Sequence, residues 1–338
     1  MMNEIIKMNE NLITEIEINH FKCFENFKTN GFKRVNLIVG KNNVGKTALM
    51  EACWIYERNN KSSHAIEAYE NMVNTLSLIK EFRYFLNSGP HDLQAAFALL
   101  KKFNRLLIKS HNQSVKLNIE TNTNEVKVSI NDFEINTSLT HSHLFAQRLS
   151  DKINFSTNFI ASYQIDNDLM MSLYDLIKEY RKKDNLNQYI NEFDPDILEF
   201  EIIKNLPKVF LASRQQFEDI AELGHGLKRY VAIISALLVC QNSCLFLDEI
   251  ENGIYYTQLD RLWQIILTLA EELNCQVFAT THSKECLESF YKVSQKMAYK
   301  NISILKLTRL KNGQISSSVS DYELLENSLE QNHEVRGW

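Results

Sequence analysis

Apolar and polar residues alternate with a period of two near the start of the chain, over residues 12–19 (LITEIEIN). This pattern predicts a half-buried strand. A largely apolar run over residues 35–39 (VNLIV) leads into a glycine-containing loop, and residues 46–56 have the spacing of a helix. The first sixty residues are therefore predicted to run strand, turn, strand, loop and helix.

A long helical pattern follows over roughly residues 64–110, and Ser88-Gly89-Pro90 marks a turn inside it. Residues 115–120 and 125–130 then alternate on either side of a short polar connection, which is the pattern of a β-hairpin. A small antiparallel sheet is expected in this part of the chain.

The second half of the chain alternates between strand and helix patterns. The predicted elements are a buried strand at 158–163, a charge-rich helix at 168–192, a hairpin across Pro207, a helix at 227–240, a strand at 244–248, a helix at 257–273, a strand at 276–281, and a C-terminal hairpin followed by a short helix. Strands separated by helices pair in parallel, so the sequence predicts an α/β fold with a central, mostly parallel sheet.

Composition limits the class of protein. The 338 residues are 44% apolar, enough for one large core, and we expect a single domain with insertions at about 64–135 (helical, then a β-hairpin) and 168–215 (a helical lid). The longest apolar stretch, residues 230–240, is shorter than the roughly 20 residues that span a membrane. No secretion signal is recognisable at the N-terminus, so a cytoplasmic protein is expected.

Charge and cysteine content exclude two further classes. A net charge of −5 lacks the basic excess of a dedicated nucleic-acid coat. The six cysteines form no C-x-x-C pair and do not have zinc spacing with histidines, so reduced thiols are expected.

Only nine glycines occur, and five of them fall in three short segments. The first segment, residues 40–47 (GKNNVGKT), fits G-x-x-x-x-G-K-[ST] between a predicted strand and a predicted helix, where backbone N–H groups cradle phosphates. Lys46 is expected to reach the β- and γ-phosphates, and the hydroxyl of Thr47 to ligate Mg²⁺. The nucleotide contacts predicted here are Gly40, Asn42, Asn43, Val44, Gly45, Lys46, Thr47 and Ala48. We call residues 40–47 the phosphate loop.

Two carboxylates follow the apolar residues 244–247 at the end of a predicted central strand. Asp248 is expected to hold Mg²⁺ and Glu249 to polarise the attacking water, although two acids taken alone would more often form a surface turn. His282 ends a neighbouring predicted strand, from which it can hydrogen-bond the γ-phosphate or the water, whereas an isolated histidine is more often structural. Glu249, His282 and Lys46 are the predicted catalytic residues.

The second glycine segment precedes the apolar helix at 227–240, and Gly253 forms the third. Gly224 and Gly226 lie in residues 224–229 (GHGLKR), which we call the signature loop. Glycines at a helix N-terminus favour an anion, and this end has no obvious phosphate in its own chain. A plain helix cap is the alternative interpretation.

Taken in order, these segments resemble the ABC-type ATPase heads of the SMC, RecF and OLD group, and above all the stand-alone bacterial AAA-family ATPases of that clade. The resemblance rests on the phosphate loop, GHGLKR, residues 246–256 (FLDEIENGIYY) and residues 280–286 (TTHSKEC). It implies a P-loop NTPase fold of ABC-ATPase head type with an antiparallel β subdomain and a helical insertion. It also implies ATP and Mg²⁺ as cofactors, and a homodimer in which the signature loop of one subunit completes the ATP site of the other.

Three departures from that pattern are visible. Gly224 stands where ABC proteins have a serine, which weakens the inference of a side-chain contact to the γ-phosphate. Tyr255 stands where the family often has a histidine. The glutamine of the glutamine loop is assigned to Gln164, with Gln147 less well placed.

The resemblance implies Mg²⁺-dependent ATP hydrolysis that drives head-to-tail dimer switching and controls a partner, with anti-phage defence or DNA maintenance as the setting. The alternative is a slow nucleotide-gated scaffold or sensor that binds DNA or a nuclease or toxin effector. A small-molecule kinase is disfavoured, because the signature loop and His282 have no role in one.

Two further expectations concern partners. The residues after His282 are fewer than the roughly 100 that a Toprim nuclease domain needs, so the nuclease domain of OLD proteins is expected to be lacking. The resemblance implies a separately encoded nuclease or toxin as the partner. DNA binding would use Arg181-Lys182-Lys183 and Lys101-Lys102 as phosphate contacts, although such a charge run is more often a solvated helix face.

Overall fold

The computed structural model of the chain describes residues 12–59, 106–110, 113–121, 125–130, 133–138, 157–162 and 165–321. The strands are β1 (Glu15–Phe21), β2 (Phe24–Asn30), β3 (Val35–Val39), β4 (Leu106–Ser110), β5 (Gln113–Thr121), β6 (Glu125–Ile130), β7 (Phe133–Ser138), β8 (Phe159–Ile160), β9 (Ile197–Ile203), β10 (Leu206–Leu211), β11 (Gln216–Asp219), β12 (Cys244–Leu247), β13 (Gln276–Thr280), β14 (Ile302–Arg309) and β15 (Ile315–Asp321). The helices are α1 (Lys46–Asn59), α2 (Asn167–Glu179), α3 (Lys183–Phe193), α4 (His225–Val239), α5 (Tyr256–Glu272) and α6 (Lys284–Lys296).

The central sheet has the strand order β15-β14-β3-β13-β12-β8. Its pairs are parallel except β14 with β15, which form the antiparallel hairpin predicted near the C-terminus. Every residue of β3, β12 and β13 is buried, as expected for strands covered on both faces. Parallel strands bring their carboxyl ends to one edge, so the phosphate loop, Asp248 and Thr281 all follow strands that end there.

A second, antiparallel sheet has the order β2-β1-β4-β5-β6-β7 and contains the predicted hairpin β5–β6. The helical pattern predicted up to residue 110 is wrong over its last five residues. Those residues form β4, in which Ile108 pairs with Ile18 of β1 and Val115 of β5. Pairing with two distant strands outweighs local helical spacing here. Strand β2 was not predicted, because its buried positions do not alternate regularly.

The predicted helix over residues 168–192 is two helices, α2 and α3, which are separated at Arg181 by a positive φ of 55°. The predicted hairpin across Pro207 is present as β9–β10, and β11 extends it to a three-stranded sheet. Ile177 of α2 and Ile190 of α3 are buried in the same apolar cluster as Ile233 of α4. The region that we expected to be a helical lid therefore combines two helices with a sheet and packs on α4.

Several sequence predictions fall outside the described residues. These are the helical pattern up to residue 105, the C-terminal short helix, Lys101-Lys102, Gln147 and Gln164. In the part of the chain that the structure describes, no helix is long and apolar enough to span a membrane.

Candidate nucleotide site

The phosphate loop connects β3 to α1, and its backbone shape requires glycine at two positions. Gly40 has a φ of +148°, and a Cβ atom there would lie 2.6 Å from the carbonyl oxygen of Leu307. Gly45 has a φ of +108°, and its Cβ would lie 2.7 Å from Sγ of Cys23. Both sites combine a conformation that side chains disfavour with a close neighbour. The motif therefore marks a specific loop geometry in this fold.

Lys46 is the first residue of α1 and curls back over the phosphate loop. Its Nζ donates to the carbonyl oxygens of Gly40 (2.9 Å) and Lys41 (3.1 Å). The side chain is buried, and this desolvation lowers the pKa of Lys46, while the nearby carboxylates of Glu249 and Asp248 oppose that shift. The ammonium group is thus held within the loop, where phosphate oxygens can replace its carbonyl partners.

Two threonines and an aspartate form a hydrogen-bonded group beside Lys46. The hydroxyl of Thr47 donates to the carboxylate of Asp248, with Oγ1 at 3.1 and 3.2 Å from its two oxygens. The hydroxyl of Thr280, the last residue of β13, donates to Oδ1 of Asp248 at 2.6 Å. Asp248 is buried, so these contacts fix the orientation of its carboxylate group. The predicted pair Thr47 and Asp248 is brought together across 201 residues of sequence.

The oxygen atoms of Thr47 and Asp248 suit Mg²⁺, which prefers hard oxygen ligands and usually binds through one or two protein groups plus substrate phosphates. Among the described residues, no group of three or more histidine, cysteine or acidic side chains could hold a metal ion. The donor set therefore fits a cation that arrives with a nucleotide.

Glu249 and His282, the other predicted catalytic residues, are neighbours at the same sheet edge. Glu249 has a φ of 48°, and its main-chain N–H donates to Oγ1 of Thr280 at 2.7 Å. Nδ1 of His282 lies 3.9 Å from Oε1 of Glu249 and 3.3 Å from Oε1 of Glu251. The side chains of Glu249 and His282 are 37% and 43% exposed. Both can therefore reach a ligand above the edge.

Arg229 belongs to this site, although we predicted no role for it from the sequence. Its guanidinium is buried and donates to the carbonyl oxygens of Ala161 (2.8 Å), Glu249 (3.0 Å) and Asp248. Burial lowers the pKa of Arg229, and the carboxylates of Asp248 and Glu251 oppose that shift. The signal available in the sequence for this role was a cationic side chain near the start of an otherwise apolar helix. Arg229 ties α4 to the backbone of both acidic residues.

The two glycines of the signature loop have different surroundings. A Cβ at Gly226 would lie 2.1 Å from the carbonyl oxygen of Gly253, so this glycine permits close packing against the loop after β12. Gly224, the N-cap of α4, has a φ of +105°, and a Cβ there would meet no atom of the described residues within 4 Å. As a glycine it has no side chain with which to cap the helix. The back of the signature loop is packed and its front is open.

A cavity of about 530 Å³ lies at that open front. Gly224, His225, Lys228, Arg229 and Asn252 are among its lining residues. Nζ of Lys228 donates to Asn167 of α2 at 2.9 Å, and Nδ2 of Asn252 donates to the carbonyl oxygen of Ser162 at 2.7 Å. The cavity is therefore walled by cations and by the N-terminus of a helix, a combination that favours an anion.

The remaining predicted contacts are distributed around the phosphate loop. Asn42 and Asn43 are exposed, whereas Val44 and Ala48 are buried beneath the loop. Asn43 has a φ of 59°, and its carbonyl oxygen accepts from Nη2 of Arg309 at 3.0 Å. Tyr255, at the position where a histidine was expected, is 63% exposed and lies next to Tyr256. The glutamine-loop assignment to Gln164 stays a prediction.

Comparison with known proteins identifies a family and several similar chains. The model of the family described as "AAA domain, putative AbiEii toxin, Type IV TA system" matches residues 35–288. A protein of Helicobacter pylori named "ATP/GTP phosphatase" is 25% identical over 325 residues, which cover 82% of this chain and 87% of that protein.

Two solved structures have the same fold at 11% identity and a TM-score of 0.54. One is an Smc head bound to the C-terminal winged-helix domain of ScpA, with 93% of this chain and 99% of that chain covered. The other is an Smc head with an extended coiled coil bound to the C-terminal domain of ScpA, derived from Pyrococcus furiosus, with 95% and 99% covered. The predicted ABC-type head fold is thereby confirmed.

The family model covers more than half of the chain and includes the phosphate loop, the signature loop, the acidic pair and His282. The resemblance inferred from the sequence is confirmed, and the chain belongs to this family of AAA-domain P-loop ATPases.

Proposed function

We propose that this ATPase binds ATP with Mg²⁺, that ATP joins two copies head to tail, and that the resulting dimer controls a partner. The observation that carries the proposal is the contrast within the site. The phosphate loop and its acidic residues are assembled within one chain, whereas the signature loop presents an open, uncapped helix end.

Each side chain has a chemical task in this proposal. Lys46 exchanges its carbonyl partners for β- and γ-phosphate oxygens, a charge-assisted contact. Thr47 and Asp248 would hold Mg²⁺, which supplies neutralisation of phosphate charge when it is bound. Glu249 orients and polarises the attacking water, and His282 contacts the γ-phosphate or that water. Arg229 keeps the backbone of Asp248 and Glu249 in place through their carbonyl oxygens.

Head-to-tail pairing explains the open signature loop. In a two-fold dimer each subunit presents the same surface to the other, so the signature loop of one copy can meet the γ-phosphate bound by its partner. The N-terminus of α4 and the cations around the adjacent cavity would stabilise that negative charge. Gly224 leaves room for the phosphate, while Gly226 holds the loop against Gly253 of its own subunit.

Sedimentation of the Glu249→Gln variant, with ATP and Mg²⁺ or without nucleotide, tests the dimer. We expect a dimer only with ATP, because the variant retains the phosphate contacts but hydrolyses slowly. A monomer under both conditions, in protein that binds ATP by calorimetry, would overturn the dimer proposal. Absence of ATP binding by the wild-type protein would overturn the function as a whole.

A matched pair of variants at His225 tests whether the signature loop contacts the γ-phosphate bound by the other subunit. His225 is exposed at the first position of α4, where an acidic side chain stabilises the helix. In the Glu249→Gln background, His225→Glu should abolish the ATP-dependent dimer by repelling the γ-phosphate, whereas His225→Gln should retain it. Equal dimerisation by both would place the signature loop away from the phosphate. Gly226 is a poor probe, because any side chain there meets Gly253 first.

The partner that fits best is a separately encoded toxin or nuclease effector. The family description applies the word toxin to the AAA domain itself within a toxin–antitoxin system, so it supports a two-component setting, while the toxin or nuclease identity of the partner rests on the resemblance. DNA is less favoured, since Lys183 of the basic run 181–183 is paired with Glu199 and Glu201. Affinity capture from native cells in ATP and in ADP should recover the effector in one state only. Strong, salt-sensitive DNA binding without a protein partner would favour the DNA sensor instead.

The rate of ATP turnover distinguishes the alternative function, a slow nucleotide-gated scaffold, from the proposed ATP-driven switch. If ATP is hydrolysed far more slowly than the dimer exchanges subunits, the nucleotide gates binding and does not drive a cycle. Single-turnover hydrolysis and subunit exchange, both measured on wild-type protein, provide the two rates.

A further inference from the structure

Glu251 has a defined position in the site but no task in the chemistry above. It lies in the loop between β12 and α5, two residues after Glu249, and its side chain is only 11% exposed. Its Oε1 accepts a hydrogen bond from the main-chain N–H of His282 at 3.0 Å and lies 3.3 Å from Nδ1 of the same residue. Its Oε2 is buried without a hydrogen-bond partner in the described part of the chain. One carboxylate oxygen thus accepts from the backbone of His282 and also lies close to its ring.

The chemistry of the two groups gives this contact a direction. A neutral imidazole carries one N–H, and an ionised carboxylate can only accept hydrogen bonds. A carboxylate beside Nδ1 therefore selects the form with hydrogen on Nδ1, which leaves a lone pair on Nε2. Glu249 lies on the same side of the ring, but its Oε1 is farther away at 3.9 Å, and its side chain is more exposed. Glu251 is the nearer and more rigidly held acceptor.

We propose that Glu251 is a positioning residue for His282: it fixes the ring and keeps the hydrogen on Nδ1, so that Nε2 faces the nucleotide site as an acceptor. Of the two partners considered for His282, this form selects the water, which can donate to Nε2, and not a γ-phosphate oxygen, which cannot. The effect on rate rests on the proposed ATP hydrolysis. The position of Glu251 beside His282 is independent of that proposed function. Glu249 is not needed to position His282 and can act on the attacking water.

Steady-state ATP hydrolysis by the near-isosteric Glu251→Gln and by the apolar Glu251→Leu tests the effect on rate. A neutral amide oxygen holds the N–H groups of His282 less strongly than a carboxylate, and leucine does not hold them at all. We expect kcat to fall about tenfold in Glu251→Gln and further in Glu251→Leu, with KM changed less than about twofold. Glu288→Gln is the control, since that exposed carboxylate pairs with Lys284 on α6. It should retain the wild-type kcat.

A double-mutant cycle distinguishes action through His282 from a general structural effect. In a His282→Ala background, Glu251→Gln should change kcat less than about twofold, because the group that it positions is absent. A full tenfold loss in that background would overturn the proposal.

Long-range ¹H–¹⁵N spectra of histidine-labelled protein report the position of the hydrogen directly. The signals of His282 are those missing from His282→Ala. Wild-type protein and Glu288→Gln should show hydrogen on Nδ1, and Glu251→Leu should show a mixture of the two forms. Hydrogen on Nε2 in the wild type would overturn the proposal. Because this measurement needs no turnover, it decides the role of Glu251 even if the protein fails to hydrolyse ATP.

Discussion

The phosphate loop and the signature loop both depend on glycine, but for different reasons. In the phosphate loop, Gly40 and Gly45 allow close approach to other parts of the same chain, and Lys46 and Thr47 already have partners within it. In the signature loop only Gly226 has such a neighbour, while Gly224 faces open space at an uncapped helix end. The first region has its contacts within the chain, whereas the front of the second has no close neighbour among the described residues.

Arg229 joins the two regions. It is the sixth residue of the signature loop, yet its guanidinium donates to the carbonyl oxygens of Asp248 and Glu249. A buried cation with several backbone partners resists displacement, because breaking those contacts leaves polar groups unsatisfied. Helix α4 and the backbone of the acidic pair are therefore joined by direct contact.

The largest effect is expected at the acidic pair. Glu249→Gln should lower kcat by about 10² to 10⁴-fold, as for the loss of a general base, because a neutral amide cannot polarise water in the same way. ATP affinity should change little, since the contacts of Lys46 and Thr47 remain. Phosphate release and calorimetry measure the two quantities. Loss of affinity together with rate would mean that Glu249 serves binding.

The next largest effect is expected in the phosphate loop, where Lys46 has its contacts within the chain. Lys46→Ala should weaken ATP binding about 100-fold, which corresponds to the roughly 3 kcal/mol of a charge-assisted contact. Lys41→Ala is the control, because Lys41 is exposed and only its carbonyl oxygen contacts Lys46. Calorimetry with Mg²⁺ on both variants gives the comparison. Similar affinities would show that the charge of Lys46 does not reach the phosphates.

A smaller effect should separate the packed back of the signature loop from its open front. Gly226→Ala should lower the free energy of unfolding by about 1–3 kcal/mol, because its Cβ displaces the Gly253 backbone. His225→Ala, at the exposed neighbouring position, should change it by less than about 0.5 kcal/mol. Urea denaturation without nucleotide measures both. Equal stabilities would contradict the close packing of Gly226.

The smallest effect is expected where the C-terminal hairpin contacts the phosphate loop. Arg309→Ala should weaken ATP binding about threefold, because an exposed hydrogen bond to the carbonyl oxygen of Asn43 contributes only about 0.5–1 kcal/mol. Lys311→Ala, in the exposed turn of the same hairpin, should have no effect on affinity. A loss as large as that of Lys46→Ala would mean that Arg309 touches the nucleotide itself.

The sequence by itself determined the features that depend on short stretches of chain. The apolar runs of β3, β12 and β13 predicted a parallel core, and the spacing of the phosphate loop predicted its place between strand and helix. Asp248 and His282 were expected at the sheet edge because each follows a buried strand. Such local patterns can be recognised in a sequence because side-chain periodicity and glycine geometry depend on only a few consecutive residues.

Only the tertiary structure decided which distant groups meet. Strand β4 forms because it pairs with β1 and β5, and Thr280 contributes because its hydroxyl reaches Asp248 across 32 residues of sequence. The contacts of Arg229 with the acidic backbone, of Glu251 with His282, and of Gly226 with Gly253 have no local signature. Hydrogen bonds and steric contacts depend on separation in space, and that separation is set by the packing of the whole chain.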